Sequence, residues 1–480
     1  MSSNPTHHQH NNLDLIFVLL LSFSLLIASA LTSTFIAYPL LAALLLLIAV
    51  LLRRGFALGV LLNMAATGAK QALPVVYILL LIGILTAIWM AAGTVPALVY
   101  YGTQLVSPQF FILWAFLLTS AISTLIGTSF GTVGTLGIAL MVIARSSDIA
   151  VNPVAGAIIA GAFVGDRCSP LSSSAHLVAT ITHTQLYNNL RNMVVSGFWP
   201  FALSIVFYTT LSFLQPAPPS GQLTNNAVMA ELPEVFDLSL ITLLPAAVIL
   251  LLAILRVNVK LAMWASIGMG IAIAHTLQNY SLFSLAQFSL IGYHLNNSQL
   301  QSILLGGGLL PMIKATLVVF ISTAFAGIFA GSRTLGFAHS WLKRIRTYRQ
   351  ISRATVLISL IANLFGCTQT IGILLTEQIM RPHYENFYGK DRDDNQSEAD
   401  WQIALAIEDT ATVTAPMVPW NIAGLIPATV LGVGPGFIPY TAYLLLLPLF
   451  MVLRVRSPIS KSPTSPKLRK TSLTAENNSL

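Results

Sequence analysis

Long apolar runs recur along this chain, and each is about as long as a helix that crosses a lipid bilayer. A helix needs about 20 mostly apolar residues to span the hydrocarbon core. Of the 480 residues, 55% are hydrophobic and only 8% are charged, against roughly 25% charged in a soluble domain. The sequence therefore predicts an all-α polytopic membrane protein. The clearest runs are Leu13–Leu31, Thr34–Leu52, Met193–Leu214, Leu238–Leu255 and Phe437–Leu453.

The basic residues lie in loops between these runs and give the chain an orientation, because Lys and Arg are enriched in cytoplasmic loops. Segment 215–237 carries three acids and no base, whereas bases cluster densely at 343–353. We predict that 215–237 is an external linker, and that the polar leader 1–12 and the disordered basic tail 456–480 are cytoplasmic. The same rule accounts for the net charge of +8. Membrane lipid is therefore the expected partner, no nucleic acid is expected, and a homodimer is left open.

The two halves of the chain, 13–214 and 238–455, contain similar segments in the same order. Pro74–Gly93 and Pro311–Gly331 are both apolar and end in Ala-Gly, and their first residues are 237 positions apart (311 − 74). The loop after the first of these segments has no base, whereas its counterpart has six. The same element therefore ends outside in one half and inside in the other. This pattern predicts an inverted repeat of about five spans in each half.

Polar segments interrupt the apolar sequence once in each half. We predict a re-entrant hairpin with its tip at Gly127–Thr135, followed by an interrupted crossing helix at Ile149–Asn189. The second half repeats this order, with a tip at Gly366–Thr370 and an interrupted helix at Asp400–Val433. Non-helical backbone is tolerated at membrane depth only where it is buried in protein or lines a cavity. This reading gives about ten crossings and two hairpins. The candidate tip residues are Thr128, Ser129, Thr132, Thr135, Thr368, Gln369 and Thr370.

The first interrupted helix breaks at GDRCSPLSSSAH (165–176). Pro170 removes a backbone amide and disfavours helix just before it. Unwound carbonyls, serine oxygens and a carboxylate together suit a hard cation such as Na⁺, and an ionisable residue at membrane depth is a functional candidate. The alternative is that Asp166 and Arg167 form an ion pair at a helix end. The predicted cation and proton ligands are Asp166, Ser169, Ser172 and Ser173.

The second interrupted helix breaks at EDTATVTAPMVPWNIAG (408–424). Two adjacent acids precede three alternate threonines, and Pro416 and Pro419 break the helix. The alternative to a cation site is a loop with a helix cap. The predicted ligands here are Glu408, Asp409, Thr410, Thr412, Thr414 and Asn421.

Two further ionisable residues could couple to these acids. Lys314 lies inside the apolar run that begins at Ile303, so it either pairs with a buried acid as a countercharge or extends to the membrane surface. His176 either relays protons near neutral pH or makes a structural hydrogen bond. No recognisable catalytic context surrounds the Ser, His and Asp groups, so we do not predict an enzyme.

The segments quoted above resemble NhaC-type sodium/proton antiporters in matching order over roughly residues 60–450. The strings GDRCSPLS and EDTATVTAPMVPWN are the most specific. The resemblance implies exchange of Na⁺ for H⁺ across a bacterial inner membrane, with no cofactor besides the transported ions. The family also includes exchangers of organic acids such as malate and lactate. A cation- or proton-coupled exchanger of a small organic acid or amino acid is therefore the alternative. The family pattern has an acid and an amide where this chain has Ser173 and His176.

The predicted mechanism is antiport by competition. Na⁺ and H⁺ would use the same carboxylates in turn, mainly Asp166 and Asp409, with Glu408 as a further proton acceptor. Burial favours the protonated form of a carboxyl group, so proton release can be linked to cation uptake. Hydroxyl and amide oxygens would replace the hydration shell of the ion, and one structural unit would rock against the other to alternate access.

Overall fold

The computed structural model of the chain describes residues 13–32, 34–70, 72–105, 108–147, 149–214, 232–255, 257–294, 307–332, 342, 345, 347–389, 392–393 and 396–454. The predicted leader, the predicted tail and most of the predicted external linker lie outside the described residues.

The first half of the described chain consists of eleven helices: α1 (Leu13–Leu31), α2 (Ala37–Arg53), α3 (Leu58–Lys70), α4 (Leu73–Ala91), α5 (Thr94–Leu105), α6 (Phe111–Ile126), α7 (Ser129–Thr132), α8 (Ile138–Ser146), α9 (Val151–Cys168), α10 (Ser173–Ile181) and α11 (Leu186–Leu214). A π-helical turn, Val133–Gly137, joins α7 to α8.

The second half contains ten further described helices: α12 (Leu244–Ile254), α13 (Val259–Thr276), α14 (Leu282–Ile291), α15 (Leu309–Gly331), α16 (Tyr348–Gly366), α17 (Gln369–Tyr388), α18 (Glu398–Asp409), α19 (Ala411–Thr414), α20 (Ile422–Leu431) and α21 (Ala442–Leu453). Two antiparallel two-residue strands, β1 (Arg392–Asp393) and β2 (Gln396–Ser397), precede α18.

The predicted fold class, an all-α polytopic membrane protein, is confirmed. Among the described helices, α4, α11, α13 and α15 are long and apolar enough to cross a membrane. Two bent pairs would add two spans: α9 with α10 (43°), and the segment Glu398–Met417 with α20 (47°). Shorter apolar helices such as α2 and α6 accompany them. The total of ten crossings and the inversion of the two halves remain predictions.

Each predicted hairpin turns at a single left-handed residue followed by a threonine cap. Gly127 (φ +78°) ends α6, and Cys367 (φ +52°) ends α16. The next residues, Thr128 and Thr368, are extended, and each hydroxyl accepts from the amide three residues later (3.4 and 3.1 Å). The first tip is therefore narrower than the predicted Gly127–Thr135, because residues 129–137 have returned to helix.

The first broken helix also ends earlier than predicted. We expected it to run to Asn189, but α10 stops at Ile181 and α11 begins at Leu186. His183 has a left-handed backbone (φ +56°) that ends the helical path between them. The span predicted to begin at Met193 therefore starts seven residues sooner.

Small residues bring α6 and α9 into close contact. A Cβ atom on Gly165 would overlap the backbone and hydroxyl of Ser123, and one on Gly161 would overlap Thr119. Such small-residue contacts let helix backbones approach closely in membrane proteins. Every residue from Pro153 to Arg167 is buried. The first break is thereby held in the centre of the molecule.

Candidate cation site at the two broken helices

The serines of the first break hold its backbone in place. Ser172 caps α10, and the hydroxyls of Ser172 and Ser174 both donate to the carbonyl oxygen of Asp166, the latter over 2.8 Å. Ser169 accepts from the amide of Leu171 at 3.2 Å. The predicted ligands Ser169 and Ser172 therefore shape the break with their hydroxyls.

The second break is held by two asparagines. Asn421 caps α20, because its Oδ1 accepts from the amide of Ala423 at 3.0 Å. Its Nδ2 donates to the carbonyl oxygen of Asn363 on α16 at 3.0 Å. Asn363 in turn donates to the hydroxyl of Thr414 at 2.7 Å. The oxygen of Asn421, predicted to face a cation, is thus used as a helix cap.

Both hairpins reach the carboxylate of Asp166, which is buried at 4% exposure. Gln369 donates from Nε2 to Oδ2 of Asp166 at 2.9 Å and to the carbonyl oxygen of Thr412 at 3.1 Å. The backbone of Ser129 lies within hydrogen-bonding range of the same carboxylate. Asp166 is therefore contacted by hairpin residues of both halves, and Gln369 links it to the second break.

Glu408 is a fully buried acid whose carboxylate meets the Thr412 side chain at most loosely among the described residues. Its side chain is 0% exposed, and neither carboxylate oxygen has a partner among the described residues. The buried Thr412 side chain lies within reach of this carboxylate, but the two do not form a hydrogen bond of ordinary geometry in the described part of the chain. Asp166, Arg167 and Asp409 all lie within electrostatic range of Glu408.

Asp409, predicted as a main exchanging carboxylate, is instead engaged by two arginines. It forms a buried ion pair with Arg167 and a second contact with Arg454 at 3.2 Å. Ser196 donates to the same carboxylate at 2.9 Å. Its oxygens are therefore occupied by protein donors.

Arg167 is the site residue that we did not predict. The alternative pairing of Asp166 with Arg167 is wrong, because neighbouring side chains on a helix do not face each other and Arg167 reaches across to Asp409. Its Nε also donates to the carbonyl oxygen of Glu408 at 3.2 Å. The only sequence signal was a charged residue inside an apolar helix.

Several predicted residues lie away from this cluster. Lys314 is exposed on α15, and no ion pair joins it to an acid among the described residues, which fits the alternative in which it extends to the membrane surface. The buried positive charge beside the acids is that of Arg167. Ser173, His176 and Thr370 are exposed. His176 Nδ1 contacts the carbonyl oxygen of Ser172 at 2.7 Å, which is the structural hydrogen bond of the two alternatives.

The remaining threonines bond their own helices. The hydroxyls of Thr132, Thr135 and Thr410 each donate to the carbonyl oxygen four residues earlier, over 3.0, 2.7 and 2.6 Å. Ser and Thr often make this bond in helices. Among the predicted threonines in the described segments, Thr412 is the one whose hydroxyl is buried without a hydrogen bond of ordinary geometry.

Ser129 lies in a Gly-x-Ser-x-Gly string (127–131). In α/β hydrolases this pattern places a nucleophilic serine between a strand and a helix. Here the string turns between two helices, α6 and α7, so the local structure differs from a nucleophile elbow.

A cavity of about 280 Å³ lies at the hairpin tips. Its walls include Thr368, Gln369 and Thr370 from one hairpin and Phe130 from the other. One wall residue of this cavity, Gln369, also donates a hydrogen bond to Asp166. A second cavity of about 340 Å³ shares Phe130 and reaches Lys260.

The donor set suits a hard monovalent cation. Within the described residues, no group of three or more His, Cys, Asp or Glu side chains could hold a resident metal ion. The unpartnered oxygens of Glu408 and the Thr412 hydroxyl are instead the kind of ligands that hard cations take. A carboxylate so placed can also take a proton.

Comparison with known proteins agrees with this chemistry. Residues 13–183 and 163–455 match the Na⁺/H⁺ antiporter family. The malate-2H⁺/Na⁺-lactate antiporter of Bacillus subtilis is 28% identical over 401 residues, covering 81% of this chain and 82% of the relative. An uncharacterized Na⁺/H⁺ antiporter of Haemophilus influenzae is 28% identical over 384 residues, covering 76% and 78%.

The Na⁺/H⁺ antiporter NhaC of Alkalihalophilus pseudofirmus is 28% identical over 394 residues, covering 80% of this chain and 82% of the relative. The resemblance to NhaC-type antiporters is thereby confirmed. Since the matched residues cover most of the sequence, this chain belongs to the Na⁺/H⁺ antiporter family.

Proposed function

We propose that this protein exchanges Na⁺ for H⁺ across the bacterial inner membrane, with both termini in the cytoplasm and with Glu408 and Asp166 as the exchanging carboxylates. The observation that carries this proposal is Glu408, which is fully buried while both of its oxygens lack partners among the described residues. A bare buried carboxylate is strongly unfavourable. It must therefore hold either a proton or a cation.

Competition for that carboxylate couples the two ions. When Glu408 and Asp166 are both protonated, their charges are neutralised and Na⁺ has no anionic ligand. When the proton leaves, Na⁺ can bind Glu408, the Thr412 hydroxyl and the nearby Asp166. Gln369 orients Asp166 toward the second break through its two hydrogen bonds.

The role of Asp409 in this proposal differs from the one predicted by sequence. Arg167 and Arg454 already neutralise it, so it holds Arg167 in place. Arg167 then supplies a fixed positive charge near Glu408. Such a charge favours proton release from a neighbouring carboxyl group. Rocking of the site between the two membrane faces completes the cycle.

Proton movement driven by Na⁺ tests this proposal. The purified protein would be placed in liposomes containing a pH-sensitive dye, and a Na⁺ gradient would be imposed. Wild type should change the internal pH, and Glu408→Gln and Asp166→Asn should each abolish that change. Asp14→Asn, which alters the peripheral Asp14–Arg54 pair, serves as the matched control and should retain exchange. Na⁺-dependent pH change that survives Glu408→Gln would overturn the assignment.

A second candidate function is exchange of a small organic acid or amino acid coupled to a cation or to protons. The cavity of about 280 Å³ beside Gln369 has more room than a bare Na⁺ needs, and one relative exchanges malate and lactate. Thermal stability measured with Na⁺ alone and with Na⁺ plus malate, lactate or amino acids separates the two functions. Stabilisation that requires the organic molecule would favour this candidate.

A further inference from the structure

Two arginines, one on the second arm of each hairpin, bond half-helices from the opposite half of the chain. Arg145, at the end of α8, donates from Nη2 to the carbonyl oxygens of Leu431 (2.7 Å) and Gly432 (2.8 Å), where α20 ends. Arg381, on α17, donates from Nη2 to the carbonyl oxygen of Ile181 (2.8 Å), where α10 ends. The two arginines are 236 positions apart (381 − 145), which matches the repeat offset. The contacts are therefore reciprocal between the halves.

The chemistry of a helix end explains why a guanidinium fits there. The last carbonyl groups of a helix lack donors within the helix, and this end carries a partial negative charge. The half-helices α10 and α20 have only 9 and 10 residues. Each is followed by a left-handed residue, His183 or Gly432. A Cβ atom on Gly432 would lie 2.6 Å from Nη2 of Arg145, so the glycine leaves room for the guanidinium.

The other ends of the same half-helices form the two breaks. Ser172 caps α10 and bonds the carbonyl oxygen of Asp166, and Asn421 caps α20. Each arginine thus fixes the outer end of a helix whose inner end shapes the site. We propose that Arg145 and Arg381 are positioning residues that fasten each hairpin to the half-helix of the opposite half, and so hold the cation ligands at the spacing that Na⁺ requires. This inference rests on the proposed cation site at Asp166 and Glu408.

The two arginines make unequal sets of contacts. Arg381 also forms ion pairs with Glu377 and, over 2.9 Å, with Asp400. Asp400 accepts from the amide and the hydroxyl of Ser397 in the capping box that begins α18. Since α18 carries Glu408, Arg381 connects that helix to α10, whose cap Ser172 bonds the carbonyl oxygen of Asp166. We therefore expect its loss to have the larger effect.

The test compares Arg381→Gln and Arg145→Gln with wild type in the liposome assay, measuring the Na⁺ concentration for half-maximal exchange and the maximal rate separately. Arg381→Gln should raise that concentration about tenfold, as is typical when an outer-shell partner of a metal ligand is removed, and Arg145→Gln should raise it less. Arg54→Gln, which removes the peripheral pair with Asp14, is the matched control and should leave it unchanged.

Arg381→Lys and Arg145→Lys cover the case in which a glutamine variant fails to fold, because lysine keeps the charge at the helix end. In the lysine variants, the Na⁺ concentration for half-maximal exchange should lie between the values of the wild type and the glutamine variants. If the glutamine variants fold, an unchanged Na⁺ concentration for half-maximal exchange in them, even with a lower rate and melting temperature, would overturn the proposal. If they do not fold, a wild-type value in both lysine variants would overturn it. The proposed assignment of Glu408 as an exchanging carboxylate fails separately, if Na⁺-dependent exchange survives Glu408→Gln in the otherwise wild-type protein.

Discussion

Arg167 on α9 forms a buried ion pair with Asp409 on α18, and this pair joins the two broken helices where they meet. The two side chains are 0% and 1% exposed. Arg167 also donates to the carbonyl oxygen of Met193 at 3.0 Å and to the hydroxyl of Tyr443 at 3.2 Å. These further donations allow a guanidinium to be buried. The pair is therefore part of the framework of the site.

Replacing Arg167 alone should destabilise the protein strongly. In Arg167→Met, Asp409 keeps only Arg454 and Ser196 as partners. Breaking a buried pair by removing one member typically costs about 3–5 kcal/mol. We expect a large drop in the melting temperature of the detergent-solubilised protein, and the double variant Arg167→Met/Asp409→Asn should recover much of it.

The double variant also tests the role of Asp409 in transport. If Asp409 only holds Arg167, the folded double variant should still move protons in response to Na⁺, with altered pH dependence because the fixed charge is gone. A folded double variant that has lost all exchange would instead place Asp409 among the exchanging carboxylates, as the sequence predicted.

Gln369→Ala should weaken Na⁺ binding. The side chain donates to the Asp166 carboxylate at 2.9 Å, and a hydrogen bond to a charged group is worth about 1.5–3 kcal/mol, or roughly a 10- to 100-fold change in affinity. The Na⁺ concentration for half-maximal exchange should rise accordingly. Thr370→Ala alters the next residue, which is exposed, and should leave the Na⁺ concentration for half-maximal exchange unchanged. If the two variants reach half-maximal exchange at the same Na⁺ concentration, Gln369 does not orient Asp166.

Thr412→Val should affect Na⁺ binding without affecting stability. Its buried hydroxyl forms no hydrogen bond of ordinary geometry among the described residues, so valine should cost little stability, and the melting temperature without Na⁺ should change little. Na⁺ titration should show weaker binding. Thr410→Val is the matched control, because it removes a bond to Ala406 (2.6 Å) worth about 1 kcal/mol. Thr410→Val should lower the melting temperature and leave Na⁺ affinity unchanged. If Thr412→Val instead lowers the melting temperature without weakening Na⁺ binding, Thr412 is excluded as a ligand.

The breaks of the two central helices were predictable from local sequence. Pro170 cannot continue a helix with normal hydrogen bonding, and α9 ends two residues before it. Pro416 and Pro419 likewise precede the start of α20 at Ile422. The acids beside these breaks were evident because charge is rare in apolar segments. Local chemistry therefore located the site.

The partners of those acids were not predictable. Arg167 and Asp409 are 242 positions apart, and a single sequence states only that a buried charge needs a partner, without naming it. The sequence left Lys314 open between a buried countercharge and a residue that extends to the membrane surface, and it lies on the exposed side of α15. The sequence led us to assign the Ser172 hydroxyl and the Asn421 amide to a cation. Nothing in the local sequence showed that the unwound backbone would form hydrogen bonds with these groups instead.

Gly165→Ala should disrupt the packing that holds Asp166 at the centre. A Cβ atom there would overlap Ser123 on α6, and overpacking a tight contact typically costs about 1–3 kcal/mol. The melting temperature should fall and exchange should weaken. Gly59→Ala is the matched control, since a Cβ atom on Gly59 meets nothing within 4 Å and alanine favours helix by about 1 kcal/mol. If Gly165→Ala is as stable as Gly59→Ala, the close approach of α6 and α9 does not hold the break in place.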